Sequence, residues 1–272
     1  MKIIKYTTNE DIDFSEELEK VWWDFLGDGY EVSMVNTDVL DDPISRNAYS
    51  YQIKDGKVYY SIISDTQLKY DLHCAYEDII NKKVYLFDII DKYTYSVKHY
   101  ETATPSFEVA DEILSQISQF TKLKPFKEVG IDVLDDWIYR LLTYIDINKI
   151  YEADVRDKLH AFYTNNRKRI LKLQSFGQGN CSFDRVLTDG EICFFDYFSI
   201  YEKEAYSSGL LDKAQFLVDV MTLKESKLSI FKYLNSQLDD DKDVVLFFAL
   251  LQEEAMESEN AQGYFITSFK NI

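Results

Sequence analysis

The stretch Gln174–Phe198, QSFGQGNCSFDRVLTDGEICFFDYF, decides how the chain is read. Its first part, around Gly177 and Gly179, has the composition of a loop. A short apolar strand at Val186-Leu187 follows, then the turn Thr188-Asp189-Gly190, then a second strand that runs into Asp196. The segments on either side are helical in pattern. Upstream, Val155, Leu159, Phe162 and Ile170 fall on one helix face, and Leu134, Ile138, Leu141 and Ile145 on another. Further upstream, Val109, Ile113, Ile117 and Phe120 mark a helix for which Thr104 and Pro105 are the predicted N-cap and first residue. Downstream come LLDKAQFLVDVMTL and DVVLFFALLQEEAM, the second apolar almost all round and therefore predicted to be buried.

Before residue 100 the texture differs. AYSYQIKDGKVYYSIIS alternates on both sides of Asp55-Gly56, a β-hairpin signal. KKVYLFDII and YTYSVKHYE read as a further strand pair. Between the two pairs, Leu68, Leu72, Tyr76 and Ile79 recur at helical spacing. A first helix is expected over SEELEKVWWDFLG, from the N-cap Ser15 to Gly27. These patterns predict an α+β chain of two lobes, a hairpin-rich lobe over 1–101 and a mainly helical lobe over 102–272, with a hinge near residue 102.

Composition bounds the functions. The chain has 272 residues, 46% hydrophobic and 15% aromatic, enough to bury a sizeable core. Its formal charge of −18 repels phosphate backbones and anionic lipid, which argues against nucleic-acid and membrane partners. Cys74, Cys181 and Cys193 have neither disulfide nor zinc-ligand spacing. The start, MKIIKYTTNEDIDF, lacks the apolar core of a signal peptide, so a cytoplasmic protein is expected. His73, His99 and His160 are scattered and read as structural or exposed. Trp22-Trp23 reads as packing rather than as a partner surface. Arg156, Lys158, Arg167, Lys168, Arg169 and Lys172 form the one basic concentration, read as a solvated helix face that balances an acidic surface.

The order of elements, and above all the loop and hairpin, resembles the protein-kinase-like phosphotransferases of the aminoglycoside and choline kinase type. That family carries a loop H-G-D-x-x-x-x-N, a strand, a turn and a second strand ending in I-D. Gln178, Gly179 and Asn180 stand at H-G-D, Arg185 at the Asn, and Asp196 at the final acid; Asp212 stands where the family often opens a helix with Asp. The resemblance implies a nucleotide, ATP or GTP, with Mg²⁺ held partly by Asp196. It also implies a catalytic carboxylate at position 180, where this chain has an amide. Asn180 keeps the shape but not the basicity, a change that typically costs about 10²–10⁴-fold in rate. Arg185 has no oxygen to offer a metal and brings a permanent positive charge. The strand lysine that the family pairs with a helix Glu, for which Glu77 is the candidate here, has no counterpart between Lys57 and Lys69.

The expected function is therefore a pseudokinase that binds a nucleotide or small polar ligand, or a protein partner, in a regulatory role. In that reading Gln178, Asp184 and Arg185 line the ligand site, with Arg185 holding phosphate in place of a cation. A second reading is an active phosphotransferase on a small hydroxylated substrate, with Asp184 supplying the carboxylate. A third is a non-catalytic acidic protein-interaction module.

Overall fold

The computed structural model describes residues 3–4, 31–36, 48–54, 57–64, 76–81, 87–90, 93–98, 101–125, 127–179, 181–188, 190–195, 206–239 and 241–272. The expected helix over 15–27, the tryptophans within it, His73, Cys74 and His99 lie outside these residues. The chain divides into two compact units, Met1–Glu101 with Leu187–Ile192, and Thr102–Val186 with Cys193–Ile272.

In the first unit a six-stranded sheet takes its strands in the order β1-β2-β3-β4-β6-β5. These are β1 (Ile3–Ile4), β2 (Glu31–Asn36), β3 (Ala48–Lys54), β4 (Lys57–Ser64), β5 (Phe87–Ile90) and β6 (Tyr93–Lys98). β3 and β4 are antiparallel with Lys54 opposite Lys57, so only Asp55 and Gly56 separate them. β5 and β6 are also antiparallel, Ile90 opposite Tyr93. A short helical segment over 76–80 buries Tyr76 and Glu77 and ends at Asn81, whose φ of 51° is the left-handed conformation that Asn tolerates at a helix end. A second sheet has the order β7 (Glu101–Thr102), β8 (Val186–Thr188), β9 (Cys193–Phe195).

The second unit is mostly helical: α1 (Phe107–Phe120), α2 (Ile131–Asn148), α3 (Ala153–Lys172), α4 (Gly209–Val220), α5 (Lys227–Gln237), α6 (Lys242–Leu250), α7 (Glu253–Glu257) and α8 (Glu259–Lys270). Its centre is α6, where every residue from Val244 to Leu250 is buried. α4 and α8 pack on α6, α1 packs on α4, and α2 packs on α3. Phe247 stacks on Tyr163, tilts against Phe162 and meets Phe248, so aromatic rings tie α3 to α6. Buried phenols are satisfied by main chain: Tyr151 donates to the carbonyl of Leu250 at 2.7 Å and Tyr206 to that of Ile170 at 2.9 Å. No helix among the described residues is long and apolar enough to cross a membrane.

Three sequence expectations shift in register. α1 begins at Phe107, not Pro105, because the Ser106 hydroxyl accepts the Val109 N–H at 3.3 Å and so supplies the cap expected from Thr104. In α2 the buried residue after Ile138 is Leu142, with Leu141 half-exposed; in α3 it is Tyr163 rather than Phe162. At 100° per residue, positions three and four apart straddle the same contact line, and the packing partner decides between them.

α4 starts after the Ser208 cap, and its first residue is a glycine where the helix meets the end of α1 with no room for a side chain. A Cβ on Gly209 would stand 2.8 Å from the Thr121 nitrogen and 2.9 Å from the Phe120 Cβ. Gly209→Ala should therefore destabilise the protein by about 1–3 kcal/mol, read as a lower midpoint in urea with an unchanged slope.

Candidate ligand site at the loop and hairpin

The loop between α3 and β8 is fixed by one face of α4. Asp212, buried in the first turn, accepts the Gln178 N–H at 2.6 Å through Oδ2 and the Gly179 N–H at 3.0 Å through Oδ1. One turn on, Gln215 Oε1 accepts the Cys181 N–H at 3.0 Å, and a turn further Asp219 Oδ2 accepts the Phe183 N–H. The spacing 212, 215, 219 places three acceptors in a row on one helix face. The chain can run along that row because Gly179 has φ of 87°, the left-handed region open to glycine.

Burial pushes the Asp212 carboxyl up to about 7, while the two loop N–H groups and the neighbouring Cys181 thiol pull the other way. Cys181 is itself buried, its Sγ 3.4 Å from the Gln178 side-chain oxygen. Thus Gln178, expected at the ligand, has its side chain packed inside the loop at 1% exposure. The physical reason is that its N–H turns toward Asp212 and its carboxamide toward Cys181.

After the loop a 3-10 turn, Phe183–Arg185, leads into β8. Phe183 anchors it, buried and tilted against Phe216. Asp184 projects outward at 72% exposure, accepts from the Ser182 hydroxyl, and lies 3.6 Å from Arg185 Nε. The Arg185 side chain is 38% exposed. Asn180 and Asp196 lie outside the described residues.

Among the described residues β9 ends its sheet, and α1 packs against it. There Glu112 Oε1 accepts the Cys193 N–H at 2.9 Å, and Gln116 Nε2 donates to the Cys193 carbonyl at 2.6 Å. Gln215, Asp219, Glu112 and Gln116 were not singled out from sequence. One signal was available: polar residues at 212, 215 and 219 interrupt an otherwise apolar helix pattern, as acceptors for buried main chain do.

The basic helix α3 neutralises itself against neighbouring acids. Arg156 pairs with Asp146 at 3.3 Å, Arg167 with Asp135 at 3.1 Å, and Arg169 with Asp241 at 2.8 Å and with Asp243. His160 lies 2.8 Å from the same Asp146. Separately, a groove of about 740 Å³ opens between α1, the end of α3, α4 and the chain around Asp239. Its Lys213 pairs with Asp239 at 2.9 Å, and none of the loop residues 177–185 lines it.

No family model matches the sequence, and no curated protein matches it. Solved structures do. Spectinomycin phosphotransferase APH(9)-Ia, in complex with ADP and spectinomycin, aligns with a TM-score of 0.38 and 10% identity over 94% of this chain and 93% of that one. A thermostable mutant of aminoglycoside phosphotransferase APH(4)-Ia, in a ternary complex with AMP-PNP and hygromycin B, aligns with a TM-score of 0.45 and 11% identity over 94% of each chain. APH(3'')-Id from Streptomyces rimosus aligns at 0.45 and 11% over 88% of this chain and 97% of that one. The chain resembles the aminoglycoside phosphotransferases.

Proposed function

We propose that this chain is a two-lobed, kinase-like protein, with lobes over 1–101 and 102–272, that binds a nucleotide or similar anionic ligand beside the loop and does not transfer its phosphate. The observation that carries the reading is Arg185, set at the head of β8 directly after a loop whose N–H groups are held by α4. A half-exposed guanidinium there offers a fork of donors to phosphate where a metal-binding oxygen would otherwise be needed. Asn180 supplies an amide in place of a general base, and Asp196 remains a single carboxylate for any metal. Mg²⁺ is therefore dispensable for binding in this reading. Asp184, solvent-facing and tied to Ser182, gives the active-enzyme reading no support.

Thermal-shift titration with ATP and GTP, with and without Mg²⁺, tests the proposal. A stabilisation that does not need the metal is expected, because a ligand that binds only the folded state raises its stability by mass action. A shift seen only with Mg²⁺, or none at all, would remove the proposal. The double variant N180D/R185N restores a carboxylate and an oxygen donor at the two altered positions. It should convert metal-independent stabilisation into a Mg²⁺-dependent one, measured in the same titration.

A further inference from the structure

Segment 103–116 grips the β8–β9 hairpin from both sides. On the β8 side, the Ala103 N–H donates to the Val186 carbonyl at 2.8 Å. On the β9 side, α1 turns back and clamps Cys193 between Glu112 and Gln116, at 2.9 Å and 2.6 Å. The two side chains stand four residues apart on one helix face, one an acceptor for the N–H and one a donor to the carbonyl. Phe194 and Phe195, next along β9, are buried, with Phe195 edge-on to Phe216.

An edge strand with free N–H and carbonyl groups is weakly specified in register, and a slip of one residue turns every side chain to the opposite face. Here the side-chain pair on α1 bonds both main-chain groups of Cys193. Arg185 stands directly before β8, so the register of the hairpin bears on the charged residue at the head of the proposed ligand site. We propose that Glu112 and Gln116 are positioning residues for that site: they fix β9 and so hold Arg185, at the head of the hairpin, in the arrangement that receives the ligand's phosphates. This rests on the proposed ligand-binding reading. Neither residue touches the ligand in this account; both act through the backbone of Cys193.

Nearly isosteric variants test it, chosen so that the fold survives. Glu112→Gln keeps an oxygen that can accept the Cys193 N–H, whereas Gln116→Met removes the only donor of that side chain at constant length. ATP affinity without metal is read by titration, and amide exchange at Cys193 is read in the same samples. Gln116→Met and Glu112→Ala should weaken ATP on the order of tenfold and speed exchange at Cys193, while amides of α4 keep their protection. Glu112→Gln should stay close to wild type in both readouts. Faster exchange with unchanged ATP affinity would overturn the positioning role and leave the ligand-binding reading in place. Unchanged exchange would overturn the clamp itself. Wild-type protein that binds no ATP would overturn the ligand-binding reading, and this inference with it.

Discussion

Asp212→Ala should lower stability by about 2–4 kcal/mol, because it strips the acceptor from the N–H groups of Gln178 and Gly179. The Gln178 site is fully buried, so water cannot replace the lost carboxylate without opening the loop. For a domain of this size the loss corresponds to a fall in Tm of roughly 5–15 °C, measurable by calorimetry. Asp212→Asn is the informative companion, since one amide oxygen can still accept. Its comparison with wild type carries a pH signature. The folded-state pKa of Asp212, about 7, lies above the ordinary carboxylate range, so the folded protein binds the proton more tightly than the unfolded chain does. The Asp212 contribution is therefore complete at acid pH, below the unfolded value, and is lost as pH rises through about 7. The advantage of wild type over Asp212→Asn should shrink steadily between acid and mildly alkaline pH. A constant gap would show that the carboxyl does not change its charge with folding.

Arg185→Ala should remove most of the nucleotide stabilisation expected without metal. Hydrogen bonds to a charged group contribute about 1.5–3 kcal/mol each, which is on the order of ten- to a hundredfold in affinity. At a ligand concentration of about one hundred times the wild-type Kd, stabilisation is about 2.7 kcal/mol; a hundredfold loss leaves only about 0.4 kcal/mol. The ion pair with Asp184 is a surface one and its loss contributes little to stability without ligand. Arg185→Lys keeps the charge but not the planar fork, and should fall between the two. Equal stabilisation of Arg185→Ala and wild type would move the ligand elsewhere.

Much of the helical unit was legible in the sequence, and the reasons are visible residue by residue. α6 reads as buried because no face of DVVLFFALL is polar, and the structure buries it on all sides. α2 and α3 were found through Leu134, Ile138, Ile145, Val155, Leu159 and Ile170, all of them buried. What failed was the choice between neighbours such as Leu141 and Leu142, which depends on a partner helix that periodicity does not see. The basic concentration on α3 was read as a balanced surface, and its ion pairs with Asp135, Asp146, Asp241 and Asp243 give that balance its partners. The candidate site was less legible. Its motif positions are local, but its supports come from 34 residues away for Asp212 with Gln178 and 81 for Glu112 with Cys193. The hold of Asp212 on the Gln178 N–H is such a distant contact, which no motif encodes.

The row of acceptors on α4 also bears on how this protein opens. With Asp212, Gln215 and Asp219 bonded to amides between 178 and 183, the loop is part of the helix's own cooperative unit rather than a free surface turn. α4 in turn packs on the buried α6. Amides 178, 179, 181 and 183 should then exchange with solvent at the rate set by the unfolding of α4 and the core, as one cohort, although they belong to neither an α-helix nor a strand.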